Sequence, residues 1–480
     1  MQKIQNYING ILVAPQNNEY LDNFEPATGK IYSLIAKSNQ QDLNQAVKSA
    51  EKAQIAWANT RAEEKARILT KIADLIDENA AELAKAEAID NGKPISLAKN
   101  VDISRAAANM RFFAHACTQF SSESHSMENR GINYTLRDPI GIVACISPWN
   151  LPLYLFTWKI APALASGNVV IAKPSEVTPM TSYLFAKLCI KAGLPKGVLS
   201  ILHGTGSEIG AAIVAHRKIK AISFTGGTST GAHIAAATAG MFKKLSLELG
   251  GKNPSIVFAD CDFEQAVKTV AKAAFANQGQ ICLCGSRIYI EQNIYTKFKA
   301  AFIKQVSALK IGDPLDESTE YGALVSQQHQ QKVMDYIKLA QSEGGKILTG
   351  GQEIKLKGRC KNGYFIQPTV IENLSNSCRT NQEEIFGPVC TLMPFTDEKQ
   401  VLEHANASEY GLAASIWTND LKRAHRMAKN IEAGIVWLNC WLMRDLRTPF
   451  GGMKSSGVGR EGGMEALRLL TETKNVCLKY

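Results

Sequence analysis

Between Gln41 and about Asn91 apolar residues return every three or four positions, as at Ile68, Ile72, Leu75 and Ile76, the period that lines one face of a helix. The spacing predicts two long amphipathic helices, the second ended by Asn91-Gly92. Then the pattern changes. Short apolar, β-rich runs at Gly141 to Ser147, Asn168 to Ala172, Gly197 to Leu202 and Ala221 to Phe224 alternate with helical segments, which indicates βαβ units and a parallel sheet. A second alternating set starts near Pro254, passes Arg287 and reaches about Ile435, predicting a separate α/β domain.

At 480 residues, 45% of them hydrophobic, the chain has the length of about three domains and a substantial core. MQKIQNYING lacks an apolar stretch of signal-peptide length, and the most apolar region, Leu151 to Ala165, is broken by Pro152, Lys159 and Pro162. Export and membrane insertion are therefore not expected. Eleven cysteines without regular spacing imply free thiols in a reducing compartment, with cytoplasm the default. They and the eight histidines never adopt metal-ligand spacing, so no metal site is expected. The net charge of +10 is spread without a basic block or nucleic-acid motif, which argues for solubility and a secondary attraction of anionic ligands, not for nucleic-acid binding.

Three segments carry chemistry. Phe275 to Arg287, FANQGQICLCGSR, sets two cysteines in a polar, glycine-punctuated stretch after an apolar helical run. Lys244 to Pro254, KLSLELGGKNP, places a lone carboxylate, Glu248, in an apolar segment that stops at two glycines. Ile146 to Pro152, ISPWNLP, follows a strand-like run and offers the amide of Asn150. A lone cysteine is more often an inert hydrophobe and a lone Glu a solvated charge. Together they supply a nucleophile, a base and an oxyanion donor.

With EPATGK at Glu25, GNVVIAKPSE ending at Glu176, SFTGGTSTG ending at Gly231, EEIFGPV from Glu383 and PFGGMKSSGVGRE ending at Glu461, these segments resemble the NAD(P)-dependent aldehyde dehydrogenase superfamily, in its order and over nearly the whole chain. WNLPLYLFTWKIAPALASGN, ICLCGSR and WLNCWLMRDL are most similar to the branch that oxidises 2-aminomuconic or 2-hydroxymuconic semialdehydes. The resemblance implies an α/β fold with a Rossmann-type cofactor domain (1–122 and 143–246), a second α/β catalytic domain (247–440) and a small oligomerising β element (123–142 and 463–480), in a homodimer or homotetramer.

The family pattern, counted from Phe275, selects Cys282 over Cys284 as nucleophile. It makes Asn150 the side-chain oxyanion donor beside the backbone N–H of Cys282, and Glu248 the base that activates water. An apolar setting of Leu245, Leu247 and Leu249 would raise the Glu248 carboxyl toward a useful range.

For the cofactor, the GxGxxG at Gly457, Gly459 and Gly462 lies near the carboxyl terminus without a preceding strand, and is read as a loop. The better candidate is SFTGGTSTG, where a strand ending at Phe224 meets Gly226 and Gly227 and then a helix that includes Gly231, so that backbone N–H groups can face a pyrophosphate. Family members often carry Ser at the position of Gly227, so one hydroxyl contact is missing. The resemblance adds Ile146 and Trp149, places Lys173 and Glu176 at the adenine ribose, and brackets the nicotinamide with Glu384 and Phe386. A carboxylate at Glu176 would repel a 2′-phosphate, favouring NAD over NADP.

For the substrate, Arg105 and Arg444 are suited to clamp carboxylates, with Arg111 a competitor for the first role. Tyr154, Phe156, Trp158 and Trp441 are candidates to line an aromatic tunnel. The expectation is NAD-dependent oxidation of a carboxylate-bearing semialdehyde. The rivals are a betaine-aldehyde-like or broad-range aldehyde dehydrogenase, a CoA-acylating enzyme, and a non-catalytic protein on the same fold.

Overall fold

A computed structural model describes residues 1–480. Two large sheets organise them. The first has eight strands in the order Gly457–Val458, Lys244–Glu248, Ile219–Thr225, Ile142–Ile146, Val169–Lys173, Leu199–Ile201, Asn6–Ile8 and Ile11–Val13. Its five central strands are parallel, and the additions at both ends are antiparallel. The second has seven strands, with Asn253–Val257 between Gly285–Glu291 and Ala413–Trp417, parallel except at the Lys346–Thr349 edge. A third sheet pairs Thr471–Lys479 with Gly131–Pro139 over their full length, and Ser124–Ser126 with the latter.

Several expectations are corrected. The amphipathic region between Gln41 and Asn91 holds three helices, Gln40–Ala58, Ala62–Glu78 and Ala80–Asn91, not two. Asn79 makes the second break, its side-chain amide donating back to the Leu75 carbonyl, so the helix ends although the apolar period runs on. Gly92 closes the third helix at φ 85°. The GxGxxG segment is not wholly loop, because Gly457–Val458 forms a short edge strand against Leu247 and Glu248. Residues Gly463–Leu469 form a helix against Pro152–Ala165, and Thr471–Lys479 follows as the strand of the third sheet.

Strand order positions the site. The chain adds strands on one side of Ile142–Ile146, then returns to place Ile219–Thr225 on the other. Ligands bind at the carboxyl ends of strands where the order reverses this way. ISPWNLP and TGGTSTG leave those two strand ends together. The helix that follows, Pro152–Ala165, is buried along its whole length, with Pro152 at its first turn where a missing N–H costs nothing.

Candidate functional site

The loop before Gly285–Glu291 carries the candidate nucleophile in an unusual backbone. Asn277, Gln278 and Gly279 all adopt left-handed conformations, at φ 49°, 56° and 71°. Non-glycine residues hold such angles only when their surroundings impose them. Here the Asn277 amide donates to the Asn150 carbonyl at 2.9 Å, and the Gln278 amide to the Gly92 and Ala323 carbonyls at 3.3 and 3.0 Å. The Cys282 carbonyl accepts from Asn253 at 2.7 Å. Gly251 is required at this point, since a side chain there would meet that same carbonyl.

Asn150 is buried and fixed at both ends. Its carbonyl also accepts from the Lys93 ammonium at 3.0 Å, and its side-chain amide gives one N–H to the Gln280 carbonyl at 3.0 Å, leaving the second free. The Cys282 amide has no partner in the protein.

Glu248 ends the strand Lys244–Glu248 and is 4% exposed, its Oε1 without a hydrogen bond. Burial, then the negative charge of Glu461, push its carboxyl well above the ordinary range, against Lys159, Arg444 and Arg460. Burial also pushes the Cys282 thiol far up, with Glu384, Glu248 and Cys284 adding to it and Arg444 opposing. Sulfur and carboxyl thus feel each other, and Arg444 acts on both.

A cavity of about 230 Å³ is lined by Trp149, Asn150, Gly226, Gly227, Gly250, Cys282, His329, Glu384 and Phe386, among others. The half-buried Glu384 carboxyl accepts from the Gly251 amide at 2.9 Å, and desolvation raises it above its usual value. Phe386, at φ 60°, packs edge-on to Trp149, and its carbonyl is bonded to His329 Nε2 at 2.7 Å.

A separate cavity of about 710 Å³ is lined by Ile146, Lys173, Gly206, Phe224, Ser229 and His233, with others. Lys173 donates to Glu176 at 3.0 Å, and Glu176 accepts the Gly206 amide at 3.1 Å. Burial alone would raise the Glu176 carboxyl, but Lys173 and these hydrogen bonds hold it below the ordinary range. Lys173 thus offers a donor at the cavity wall and Glu176 an acceptor behind Gly206, the kinds of group that would hold the hydroxyls of a ribose.

The three glycines of the candidate phosphate loop differ. The Gly226 amide is already bonded to the Glu248 carbonyl and the Gly231 amide to the Gly227 carbonyl, so both are used within the protein. Gly231 instead lets Leu249 approach. Only the Gly227 amide lacks a backbone partner, and nothing would crowd a side chain there.

On the substrate side, Arg105 and Arg444 meet at one residue. Arg444 donates to the Tyr154 hydroxyl at 2.8 Å, and the Arg105 guanidinium lies 5.9 Å from the Tyr154 ring centre. Arg444 also stacks on Phe450 at 3.9 Å and Trp158 at 5.0 Å. Neither arginine has an acidic partner within ion-pair distance. Arg111 is removed from the contest, since it pairs with Asp74 and Asp77 at 2.7 and 2.9 Å on the surface. Phe156 packs against Phe185 as core, and Trp441 anchors to the Leu283 carbonyl at 2.9 Å.

Sequence reasoning missed a buried polar knot behind Glu248. Glu461 Oε1 accepts from Lys159 at 3.0 Å, Ser223 at 2.9 Å and Ser246 at 3.0 Å. The available signal was Lys159 itself, a charge inside an apolar helix that must be paired if it is buried. His329 and Lys332, at the cavity wall, were missed too, and no local pattern marks them.

Residues 12–476 match the model of the aldehyde dehydrogenase family. Over 480 residues the chain is 45% identical to the 2-aminomuconic semialdehyde dehydrogenase of Mus musculus, covering 99% of this chain and 98% of the relative. It is 42% identical to the 2-hydroxymuconic semialdehyde dehydrogenase of Pseudomonas sp. (strain CF600), with both chains fully covered. Among solved structures, the NAD+ complex of an aldehyde dehydrogenase from Bacillus cereus superposes with a TM-score of 0.97 at 38% identity, covering 100% of this chain and 97% of that one. A cysteine-bearing loop, a buried carboxyl and a fixed amide near a sheet switch point thus coincide with a full-length match, and the chain belongs to the aldehyde dehydrogenase family.

Proposed function

We propose that the protein oxidises a carboxylate-bearing semialdehyde, of the 2-aminomuconic or 2-hydroxymuconic kind, to the corresponding diacid with NAD. The observation that carries the carboxylate is the convergence on Tyr154 of two arginines without acidic partners. A guanidinium fork binds a carboxylate bidentately, and unpaired positive charge in a partly buried aromatic setting favours an anionic ligand. The names of the relatives point the same way.

In this reading Cys282 Sγ gives up its proton to solvent and, as the thiolate, attacks the aldehyde carbon, and the carbonyl oxygen becomes an oxyanion held by the free N–H of Asn150 and the amide of Cys282. Preplaced donors of this kind are worth on the order of 3 kcal/mol each. NAD supplies the acceptor for the hydride expelled as the tetrahedral adduct collapses, leaving a thioester on Cys282. Glu248 then takes a proton from the water that cleaves the thioester, releasing the acid and restoring the thiol. A raised Glu248 carboxyl suits that task and supports hydrolysis over transfer to CoA. Lys173 and Glu176 would hold the adenine ribose, with Ile146 and Trp149 along the same path, the Gly227 amide the pyrophosphate, and Glu384 and Phe386 the nicotinamide end. The two cavities and their donors support that placement.

The two large sheets support division into a cofactor domain and a catalytic domain. Tyr134, Leu136 and Leu478, exposed on the third sheet, support assembly into a homodimer or homotetramer. No helix is long and apolar enough to cross a membrane, and the eleven free cysteines fit the cytoplasm.

The test is kcat/KM for a carboxylated semialdehyde beside aliphatic and aromatic aldehydes of similar length. A preference of about a hundredfold, or ~3 kcal/mol, is expected. A flat profile would reject the carboxylate and leave a broad-range aldehyde dehydrogenase.

A further inference from the structure

Phe386 stands at φ 60°, a backbone conformation that a bulky residue keeps only when its surroundings impose it. The constraint comes from the helix Gln327–Ser342. His329 Nε2 lies 2.7 Å from the Phe386 carbonyl, and one turn later the Lys332 ammonium reaches the Glu384 carbonyl at 3.4 Å. A carbonyl can only accept, so Nε2 carries the ring hydrogen and Nδ1 is left without one. Desolvation pushes the imidazole down to about 4, against the effect of the Phe386 bond, so at neutral pH the ring is uncharged and has a single N–H to give. The rings of His329, Phe386 and Trp149 then meet edge to face, their centres 5.1 to 6.3 Å apart.

The start of that helix is held from the other side as well. Ser326 caps it, its hydroxyl accepting the His329 amide at 3.1 Å, and the Val325 amide before the cap donates to the Gln280 side chain at 3.1 Å. Gln280 lies two residues before Cys282. The short run from Val325 to His329 thus ties the cysteine loop to the left-handed peptide of Phe386.

We infer that His329 is a positioning residue, whose ring N–H pins the Phe386 peptide and so sets the wall beside the nicotinamide at a fixed place relative to Cys282. This rests on the proposal that Phe386 faces the nicotinamide. Hydride passes from the adduct carbon to the nicotinamide ring, and a misplacement of about 1 Å in such a geometry can cost about a hundredfold in rate. A side chain that merely filled space could be exchanged for an apolar one of similar size. One that acts through its N–H cannot, and a side-chain amide able to reach the same carbonyl should restore it.

The test compares His329→Leu and His329→Gln with the native enzyme in two reactions of the same thiol: the pre-steady-state burst of NADH, which needs hydride transfer, and acylation of Cys282 by p-nitrophenyl acetate without cofactor, which does not. His329→Leu is expected to slow the burst about tenfold or more while acylation by the ester stays close to native. His329→Gln should recover most of the burst. A native burst in His329→Leu, a burst in His329→Gln as slow as in His329→Leu, or a parallel fall of burst and ester acylation overturns the inference. Phe386→Gly adopts the same φ without strain and removes the ring, so it should slow the burst too. If it does not, Phe386 is no nicotinamide wall, and the placement of the cofactor fails whatever the His329 variants show.

Discussion

The ammonium of Lys93 lies 3.0 Å from the carbonyl oxygen of Asn150, and both residues are buried. Lys93 also donates to Asp102 at 2.8 Å and lies 3.8 Å from Glu87, whose other oxygen accepts the Leu153 amide at 3.3 Å. Burial, then the charge of Asp102, push the Glu87 carboxyl well above its ordinary range, which favours its protonated form beside the Lys93–Asp102 pair. Lys93→Met, which frees the loop that aims the Asn150 amide, is expected to slow the pre-steady-state burst of NADH about tenfold or more. Glu87→Gln reproduces the protonated carboxyl and should stay close to the native burst rate in stopped-flow measurements. Equal damage from both substitutions would show that Glu87 is ionised.

Glu461 raises the Glu248 carboxyl by like charge. Glu461→Gln removes that charge and leaves Lys159 less compensated, so the Glu248 pKa should fall. As the proposed base, Glu248 works when deprotonated, so the rising acidic limb of thioester hydrolysis should move to lower pH. Steady-state rates across pH, under conditions where deacylation limits, check the direction. A shift to higher pH would contradict the electrostatic account.

Gly227 starts the helix Thr228–Thr238 with extended angles, no side-chain cap and open space around it. Gly227→Ser fits without strain and adds a hydroxyl able to cap the helix or reach the cofactor. KM for NAD is expected to fall by about two- to fivefold, with thermal stability changed by only a few tenths of a kcal/mol. Cofactor titration by fluorescence checks it. Weaker binding would mean that the serine caps the helix at the expense of the amide.

Gly279 holds φ 71° three residues before Cys282, and a side chain there would strike the Gly387 carbonyl. Gly279→Ala should destabilise the protein by about 2 kcal/mol or more and reduce the fraction of Cys282 that gives an NADH burst. Thermal melting and burst amplitude, read together, check both effects.

The two sheets were legible because each strand is a short apolar run bounded by glycine, proline or polar turns, and period two or continuous burial needs no distant partner to be recognised. The chemical segments were legible because motif order carried them. What local pattern could not supply was pairing. Arg105 and Arg111 lie on the same helix with similar neighbours, and only tertiary contacts send one to Tyr154 and the other to Asp74 and Asp77. Lys159 interrupted an apolar run and read as a break, because its partner Glu461 is three hundred residues away in the chain. The fate of the Gly226 amide depended on a neighbouring strand's carbonyl, which no glycine spacing encodes.

Glu248 ends a strand of the eight-stranded sheet, whereas Cys282 enters a strand of the seven-stranded one. The proposed base and thiol therefore belong to different halves of the molecule, and their distance is a property of how those halves dock. Heat or denaturant that loosens the docking would silence turnover while each sheet still keeps its own ladder, so inactivation should run ahead of the loss of secondary structure. A chain cut between the halves could recover its chemistry only by re-forming the seam.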